Sequence, residues 1–504
     1  MKRYLSLLLA GLAGLSSCQE SYLDLKPTDR YTEQNFWQNE EHALAGLNGT
    51  YRALTDDFLY GSDSPFLLEA LSPNAYNYGN TKGFNIIAKG NHDANNSSVI
   101  NNRWGSNYRG IGRANNLLAN LGPIPMDEAL KKRIRGEALF LRALFYFDLL
   151  NLYGGVPLIL DRPLLEQGTY PRNSADEIRT QILKDLDEAA ASLPLSFTGA
   201  NKGRATKGAA LALKARVLLY HQQWAAAAEA AKAVMDQGTH QLFPDYRGLF
   251  YLENEGNAEV VFDVQFKFPE VGNSYDINFQ LYENSVPLPD LVNAYLMTDG
   301  KSITESPLYD PAKPYENRDP RLKATIITPG SQFAGAPVTA TTFVQTGFSQ
   351  KKYSVYKDDV KPVELLTSGK SELNFMYIRY ADVLLMYAEA KNEASGPDAS
   401  VYEALNKIRT RAKMPPVAEG LSKEQLRQVI RHERRIELAG ESLYYHDIRR
   451  WKIAENVMNT NLYNHRNQVI DSRVFNASRD YLWPIPSVAI QNNPVLAQNP
   501  GYGK

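Results

Sequence analysis

The chain reads as a mainly α-helical repeat protein carrying long, partly β loop elaborations, and three observations predict this. Apolar residues recur at helical spacing through much of the first half and again near the end. Helix pairs of about 34 residues return along the chain, the period of a tetratricopeptide-like array. Two long segments, Asp56 to Asn102 and Phe243 to Asn374, break the helical pattern with Gly, Pro, Asn and aromatic residues.

The helices can be justified in order. Asn39-Glu40-Glu41-His42 opens an amphipathic stretch to Leu54, with Ala43, Leu47 and Tyr51 at i, i+4 and i+8. Trp104, Tyr108, Ile111 and Asn115 share a face of a helix that runs to Leu121 and is stopped by Pro123 and Pro125. Asp127 to Tyr153 is a long helix with Ala138, Leu141, Phe145 and Leu149 on one face, ended by Gly154-Gly155. Ser174 opens the next as an N-cap, with Glu177 three residues on as a capping box, and that helix ends before Pro194.

Thr206 to Gly238 is the clearest pair. Ala209, Leu213, Arg216, Val217 and Tyr220 mark its first helix, and Trp224 opens the second, with Ala227, Ala228 and Ala231 on one face. Alanine there lets two helices approach closely. Trp224 is expected to fill the gap between them. A similar pair returns at Tyr380, Leu384, Tyr387 and Ala388, then after Pro397-Asp398 at Ala404, Leu405 and Ile408. A final stretch, Ser422 to Glu455, holds Leu426, Ile430, Ile436 and Leu438, followed by Trp451 within it. Such pairs bury their faces only by stacking on neighbours, which builds a curved scaffold. The repeats occupy approximately 37–240 and 375–457, with the loop-rich insertions at approximately 56–102 and 243–374. The second insertion contains strand-like runs such as Glu259-Val260-Val261-Phe262-Asp263-Val264. Aromatic content argues against disorder in both insertions, and long ordered loops are where binding sites concentrate.

The start of the chain carries an export signal. Met1-Lys2-Arg3 is basic, Leu5 to Leu15 is an apolar run, and Leu15-Ser16-Ser17-Cys18 is a lipobox. The run is too short to span a bilayer, which takes roughly 20 apolar residues. Residues 1–17 are therefore expected to be removed as a lipoprotein signal peptide, with lipid attached to Cys18 and a mature region of 18–504 held at a membrane. Cys18 is the single cysteine, so no disulfide is available.

Composition and motifs argue against several functions. A net charge of −1 lacks the basic excess that nucleic acid or an anionic membrane surface requires, so no nucleic-acid partner is expected. The 7 histidines form no zinc motif: His432-Glu433 opens like one, but Ile436 stands where the second histidine belongs. Gly369-Lys370-Ser371 lacks the upstream glycine of a phosphate loop, that position being Glu364, and no Gly-x-Ser-x-Gly elbow occurs. No catalytic residue, cofactor or metal is assigned. Asp93, Asn95 and Asn96 carry oxygen ligands suited to calcium, but their spacing is that of a turn. Glu433, Arg434, Arg435 and Glu437 are expected to form an ion-pair network tying repeats together.

Several motifs in order resemble the SusD/RagB family of outer-membrane lipoproteins of Bacteroidetes. They are Tyr22-Leu23-Asp24-Leu25-Lys26-Pro27, the run from Trp104 to Asn115, Glu137 to Ala143, and Leu152-Tyr153-Gly154-Gly155-Val156-Pro157. Arg379 to Leu385, Glu433 to Leu438, Leu482-Trp483-Pro484-Ile485-Pro486 and Gln491-Asn492 with Pro494 complete the set. The resemblance implies about four tetratricopeptide-like helix pairs cradling a loop-rich face. It implies a SusC-like TonB-dependent transporter as partner, with the protein as a lid over it. It implies capture of a ligand, usually a glycan, at the outside of the cell before import. The RagB branch makes a peptide the alternative ligand, and a ligand-free scaffold is a further one.

The family's ligand residues lie in variable loops and do not transfer position by position, so candidates are read from the chain itself. Sugar rings stack on aromatic planes while their hydroxyls seek amides and charged groups. Asn74-Ala75-Tyr76-Asn77-Tyr78-Gly79-Asn80 alternates the two kinds of group. In an extended loop Tyr76 and Tyr78, at i and i+2, are expected to point the same way as a platform. Asn74, Asn77 and Asn80 bring amides, and Gly79 and Gly83 let the loop turn. Phe268, Tyr275 and Tyr282 supply rings from the second insertion.

Overall fold

Helix starts follow the capping residues, because a side-chain oxygen there takes up an amide that the first turn leaves without a partner. In the computed structural model, which describes residues 36–162 and 169–503, Asn39 caps α1 (Glu40–Arg52) by accepting from the His42 amide. The leader, Cys18 and the Tyr22–Pro27 motif lie outside the described residues. A short α2 (Ser64–Glu69) belongs to the first insertion. The long helix α3 (Ser98–Leu121) is followed by α4 (Glu128–Tyr153), capped by Asp127 and closed by Gly154 at φ 76°. Ser174 and Glu177 form the expected capping box on α5 (Ala175–Ser192), and Thr206 caps α6 (Lys207–Tyr220). Next come α7 (Trp224–Met235) and, within the second insertion, α8 (Tyr275–Gln280). The array resumes with α9 (Tyr380–Ser395), α10 (Ala399–Arg411) capped by Asp398, and α11 (Lys423–Glu437) capped by Ser422.

These helices pack as pairs: α1 with α3, α4 with α5, α6 with α7, and α9 with α10. Successive pairs also touch, and α7 packs on α9 although the whole second insertion separates them in sequence. The α4 helix is the centre of the array. Every residue from Gly136 to Leu150 is buried, as expected of a helix that is apolar nearly all round. Its buried charges are each paired, since an unpaired one would be costly. Arg142 forks onto Asp185 at 2.7 and 2.8 Å. Asp148 receives both Arg103 nitrogens at 2.7 Å. Glu137 takes the Tyr51 hydroxyl at 2.7 Å.

Trp224 is half-buried against the main core beside buried Ala227 and Ala228. Full burial of a Trp is worth about 3–5 kcal/mol on truncation. With the ring partly in water, Trp224→Ala is expected to cost about 2 kcal/mol, read as a lowered urea midpoint at unchanged slope.

The stretch read as continuous from Ser422 to Glu455 is broken. α11 ends at Glu437, and α12 (Tyr444–Arg450) begins after a turn with Gly440 at φ 75° and Ser442 at φ 68°. The buried Glu69 carboxylate fixes that turn by accepting the Gly440 and Ser442 amides at 3.3 and 3.0 Å.

The insertions are held by short antiparallel pairs. β1 (Ala75–Tyr76) lies in the first insertion and β2 (Val260–Val264) in the second, with β3 (Val286–Pro287) further on. β4 (Phe375–Arg379) leads into α9, and β5 (Thr460–Tyr463) and β6 (Val469–Arg473) form a hairpin. β2 pairs with β4, Val260 opposite Arg379 and Val264 opposite Phe375, so the second insertion is stitched to the entry of the returning array. β1 pairs with β3, joining the two insertions to each other. The first insertion is not simply laid over the helices: residues 63–77 are buried throughout. Its polar backbone is satisfied there. Arg473, for example, donates to the carbonyls of Ala70 and Ala75 at 2.7 and 2.5 Å.

The charge cluster on α11 ties elements together as its sequence suggests, and it recruits partners from afar. Arg321, Lys352, Arg379, Arg409 and Arg411 alternate with Asp319, Glu259, Glu433, Glu437 and Glu441 in one buried, charge-balanced network. Arg434 joins α9 to α12 through Asp382 and Asp447 at 2.5 and 2.8 Å. Arg435 leaves the network and meets Asp290 and Asn74.

Candidate ligand-binding face

Tyr76 and Tyr78 part company. A shared direction at i and i+2 needs extended backbone through both residues, but β1 is only Ala75–Tyr76 and the chain turns directly after it. Asn77 closes the turn through its side chain to the Thr81 amide and carbonyl, both at 3.4 Å. Asn80 then takes up a left-handed φ of 49°. Tyr76 is left in the sheet, where its ring packs with Val286, Leu288 and Leu462 and its hydroxyl donates to Asp471 at 3.1 Å. Burial and the neighbouring Asp471 carboxylate push that hydroxyl's pKa up to about 12. Tyr78 stands in the turn itself, 56% exposed.

The three candidate amides are structural, Asn77 by closing that turn. Asn74 is fully buried, donating to Glu69 Oε1 at 2.6 Å and accepting from Arg435 Nε at 2.8 Å. Asn80 accepts the Ile86 amide at 3.0 Å. Gly83 is at φ 83°, and a Cβ there would come within 2.8 Å of the Ser97 hydroxyl, so the turn requires glycine.

The second insertion divides in the same way. Tyr275 is wholly buried, its ring edge-on to Phe66 and its hydroxyl donating to the Tyr60 carbonyl at 2.8 Å. It is a core residue, because α8 turns it inward. Phe268 is 42% exposed but sits on a separate turn clamped by the Lys267–Val271 backbone pair. Tyr282, just past the end of α8, is 49% exposed, and its neighbour Leu281 is 66% exposed.

Hydrogen bonds join the Tyr78 and Tyr282 loops. Thr81 Oγ1 donates to Asn284 Oδ1 at 3.1 Å, and Asn284 Nδ2 donates to Asp63 and Asn278 at 3.1 and 2.9 Å. Lys82 reaches the same Asp63 at 2.9 Å. A third loop is added by Glu283, whose carboxylate accepts the Val344 and Gln345 amides at 3.2 and 3.1 Å. The result is one face built from three loops, with Tyr78, Leu281, Tyr282 and Val344 exposed on it and polar groups between. Leu281, Asn284, Glu283 and Val344 had no signal in the sequence, because their partners lie far away along the chain.

Away from this face, a concavity of ≈ 380 Å³ runs along β2 past Lys202, Arg204, Asp263 and Gln265. Burial pushes Asp263 up to about 6 and Glu255, beside it, up to about 7. A raised carboxyl contributes stability that is full below its unfolded value and lost as pH rises through the folded one. Asp263→Asn is therefore expected to gain on the wild type between pH 4 and pH 8, measured by urea unfolding at each pH. Asp93, Asn95 and Asn96 form a turn in which Asp93 accepts the two asparagine amides at 2.7 and 2.9 Å. Among the described residues no group of three or more acidic, His or Cys side chains is placed to hold a metal, and no helix is long and apolar enough to cross a membrane.

Stacked helix pairs that carry a face of interlocked loops with exposed rings define a helical-repeat protein. The family model described as SusD family matches residues 249–502, and one described as starch-binding associating with outer membrane matches residues 21–219. The chain belongs to the SusD family. It is 26% identical to a SusD-like protein of Formosa agariphila, over 96% of this chain and 97% of that one. Among solved structures it is similar to a SusD-like carbohydrate binding protein from Bacteroides fragilis, with 30% identity, a TM-score of 0.84, and 92% of this chain and 100% of the other covered. It is also similar to a laminarin binding SusD-like protein, with 26% identity, a TM-score of 0.73, and 92% and 100% covered.

Proposed function

We propose that this protein captures a glycan on the face carrying Tyr78 and Tyr282, without chemically altering it, and passes it to a SusC-like TonB-dependent transporter in the outer membrane. The observation that carries this reading is the pair of exposed tyrosines on loops hydrogen-bonded to each other through Thr81 and Asn284. Rings held that way can stack on sugar faces without first being ordered, which lowers the cost of binding. Asp63, Lys82 and Asn284 brace those loops against each other. Membership of the SusD family and likeness to carbohydrate-binding and laminarin-binding relatives support a glycan over a peptide.

Titration calorimetry of the protein against laminarin, a panel of other soluble polysaccharides and a peptide mixture tests the ligand class. Saturable heat with at least one polysaccharide is expected. Heat with the peptides alone would move the assignment to the RagB-type alternative, and none with any of them would leave a scaffold. Co-purification of a TonB-dependent barrel with the protein from detergent-solubilised outer membranes tests the partnership.

Attachment by lipid on Cys18 belongs to the same proposal. A diacylglyceryl group plus an amide-linked chain supplies the multiple anchors that stable membrane residence requires. Cys18→Ala is expected to abolish labelling by a fatty-acid analogue and to leave the protein unprocessed or released. Labelling at the wild-type level would refute the anchor.

A further inference from the structure

Where the helix array meets the first insertion lies a cavity of ≈ 40 Å³. A single water molecule needs about 10–15 Å³, so this space takes a few waters or one monatomic ion. Its wall includes Arg103 of α3, Asp148 of α4, Arg216 and Tyr220 of α6, Glu441, and His446 of α12. Arg103 and Arg216 are 1% and 2% exposed.

The carboxylates in this wall are engaged. Asp148 accepts from Arg103 and from Asn107 Nδ2 at 2.7 Å, and Glu441 accepts from Lys352 and Arg379 at 2.9 and 2.7 Å. Two donors in the wall are left over. Arg216 sends one terminal nitrogen to the Tyr377 carbonyl at 2.9 Å and to Asp382 at 2.5 Å, but its Nε is buried with no protein partner among the described residues. The Tyr220 hydroxyl is buried in the same condition. Asn151 Nδ2 lies 2.7 Å from His446 Nδ1, and with the amide as donor the neutral ring carries its proton on Nε2.

The charge balance points the same way. Arg216, Asp382, Arg434, Asp447, Arg450 and Glu389 alternate in a chain whose charges cancel, and Arg103 cancels Asp148. Arg449 is the cation in excess: carbonyl oxygens of Asn151 and Tyr481 hold it, and one of its terminal nitrogens has no partner among the described residues. Burial first, and then Arg449, Arg103, Arg216 and Arg450, hold His446 well below the usual histidine range, as a positive potential at this wall requires.

We propose that the cavity binds one monatomic anion, chloride in solution, between the Arg216 Nε, the Tyr220 hydroxyl and the His446 Nε2–H. Two buried donors beside a cation in excess suit a ligand that accepts and carries negative charge. The volume excludes larger organic anions. Such an ion would staple α6 to α12 at the middle of the fold.

Crystals of the protein grown in sodium bromide in place of chloride test this by anomalous diffraction at the bromine edge. An anomalous peak in the cavity is expected, and a map with none there overturns the proposal. In solution, the melting temperature of the protein is titrated with sodium chloride against sodium gluconate at constant ionic strength. Chloride is expected to stabilise saturably and gluconate not, whereas equal effects of the two salts overturn the proposal. Tyr220→Phe keeps the ring and removes one donor to the ion, so the half-saturating chloride concentration is expected to rise about tenfold. An unchanged half-saturation point in a folded Tyr220→Phe protein removes the hydroxyl from the site and, with it, the geometry proposed.

Discussion

Arg379→Ala is expected to cost about 3–5 kcal/mol of folding stability, because it leaves a buried, charge-balanced network one cation short. The guanidinium donates to Glu441 Oε2 at 2.8 Å, to Glu259 Oε1 at 2.7 Å and to Glu437 Oε1 at 2.6 Å. It also takes the Glu437 carbonyl at 2.7 Å. Both the residue and these three acids are buried. Lysine cannot imitate the fork that reaches three partners, so Arg379→Lys is expected to recover only part of the loss. The position magnifies the effect. Arg379 closes β4 opposite Val260 and immediately precedes α9, so it sits where the second insertion is sewn to the returning array. Arg109→Ala is the contrast: its pair with Asp56 is at 2.6 Å but its side chain is 59% exposed, and a loss below about 1 kcal/mol is expected. Urea unfolding at pH 7 measures both. A loss for Arg379→Ala as small as that for Arg109→Ala would show that the network relaxes around the gap.

The neighbouring network predicts how acid unfolds the protein. Asp382 is buried, and Arg434 and Arg216 outweigh the desolvation that would raise it, holding its pKa at about 2. Glu437, Glu441 and Glu389 are likewise held below the usual carboxylate range by arginines, overcoming burial. A depressed carboxyl contributes stability that is present above its unfolded value and lost as pH falls through the folded one. For Asp382 that window runs from about 4 down to about 2. The carboxyls of Asp263 and Glu255 run in the opposite sense, so the two groups together favour a stability maximum on the acid side of neutrality.

The array was legible because each helix announces itself locally. Asn39, Asp127, Ser174 and Thr206 cap helices from within three residues of the amides they satisfy. The apolar spacing of α4 and the alanines of α7 need no distant partner to be recognised. The acid–base cluster of α11 could be read as a tie between elements, but its partners Arg321, Arg379 and Glu259 could not, since no local pattern connects them. The loop face fails for the same reason. Asn74 looks like a free amide until Glu69 and Arg435 are found on it, and Arg435 comes from the far end of the chain. Tyr76 looks like half of a platform until β3 and β6 cover it. Whether a loop tyrosine faces water is decided by which segments pair across the insertions, and that is long-range information.

That distinction sets the expected result at the ligand face. Tyr78→Ala combined with Tyr282→Ala is expected to weaken glycan binding about a hundredfold while leaving the melting temperature within a degree or two of the wild type. Both rings stand about half in water, at 56% and 49% exposure, so little core is lost with them. Stacking of a flat ligand on an aromatic ring is worth about 1–3 kcal/mol per contact, and sugars belong near the low end, so about 1.4 kcal/mol from each of two rings gives about two powers of ten. Tyr76→Ala is expected to behave in the opposite way. It empties the small cluster with Val286, Leu288 and Leu462 and leaves Asp471 without the hydroxyl, so the protein melts earlier. Glycan affinity would then fall only as far as the β1–β3 pairing loosens the Tyr78 turn. Calorimetry and thermal melts on the two variants separate the roles. If Tyr76→Ala abolished binding at full stability while the Tyr78/Tyr282 double variant bound normally, capture would lie elsewhere. The turn carrying exposed Phe268 would then be the next place to cut, since it presents the remaining candidate ring from the second insertion.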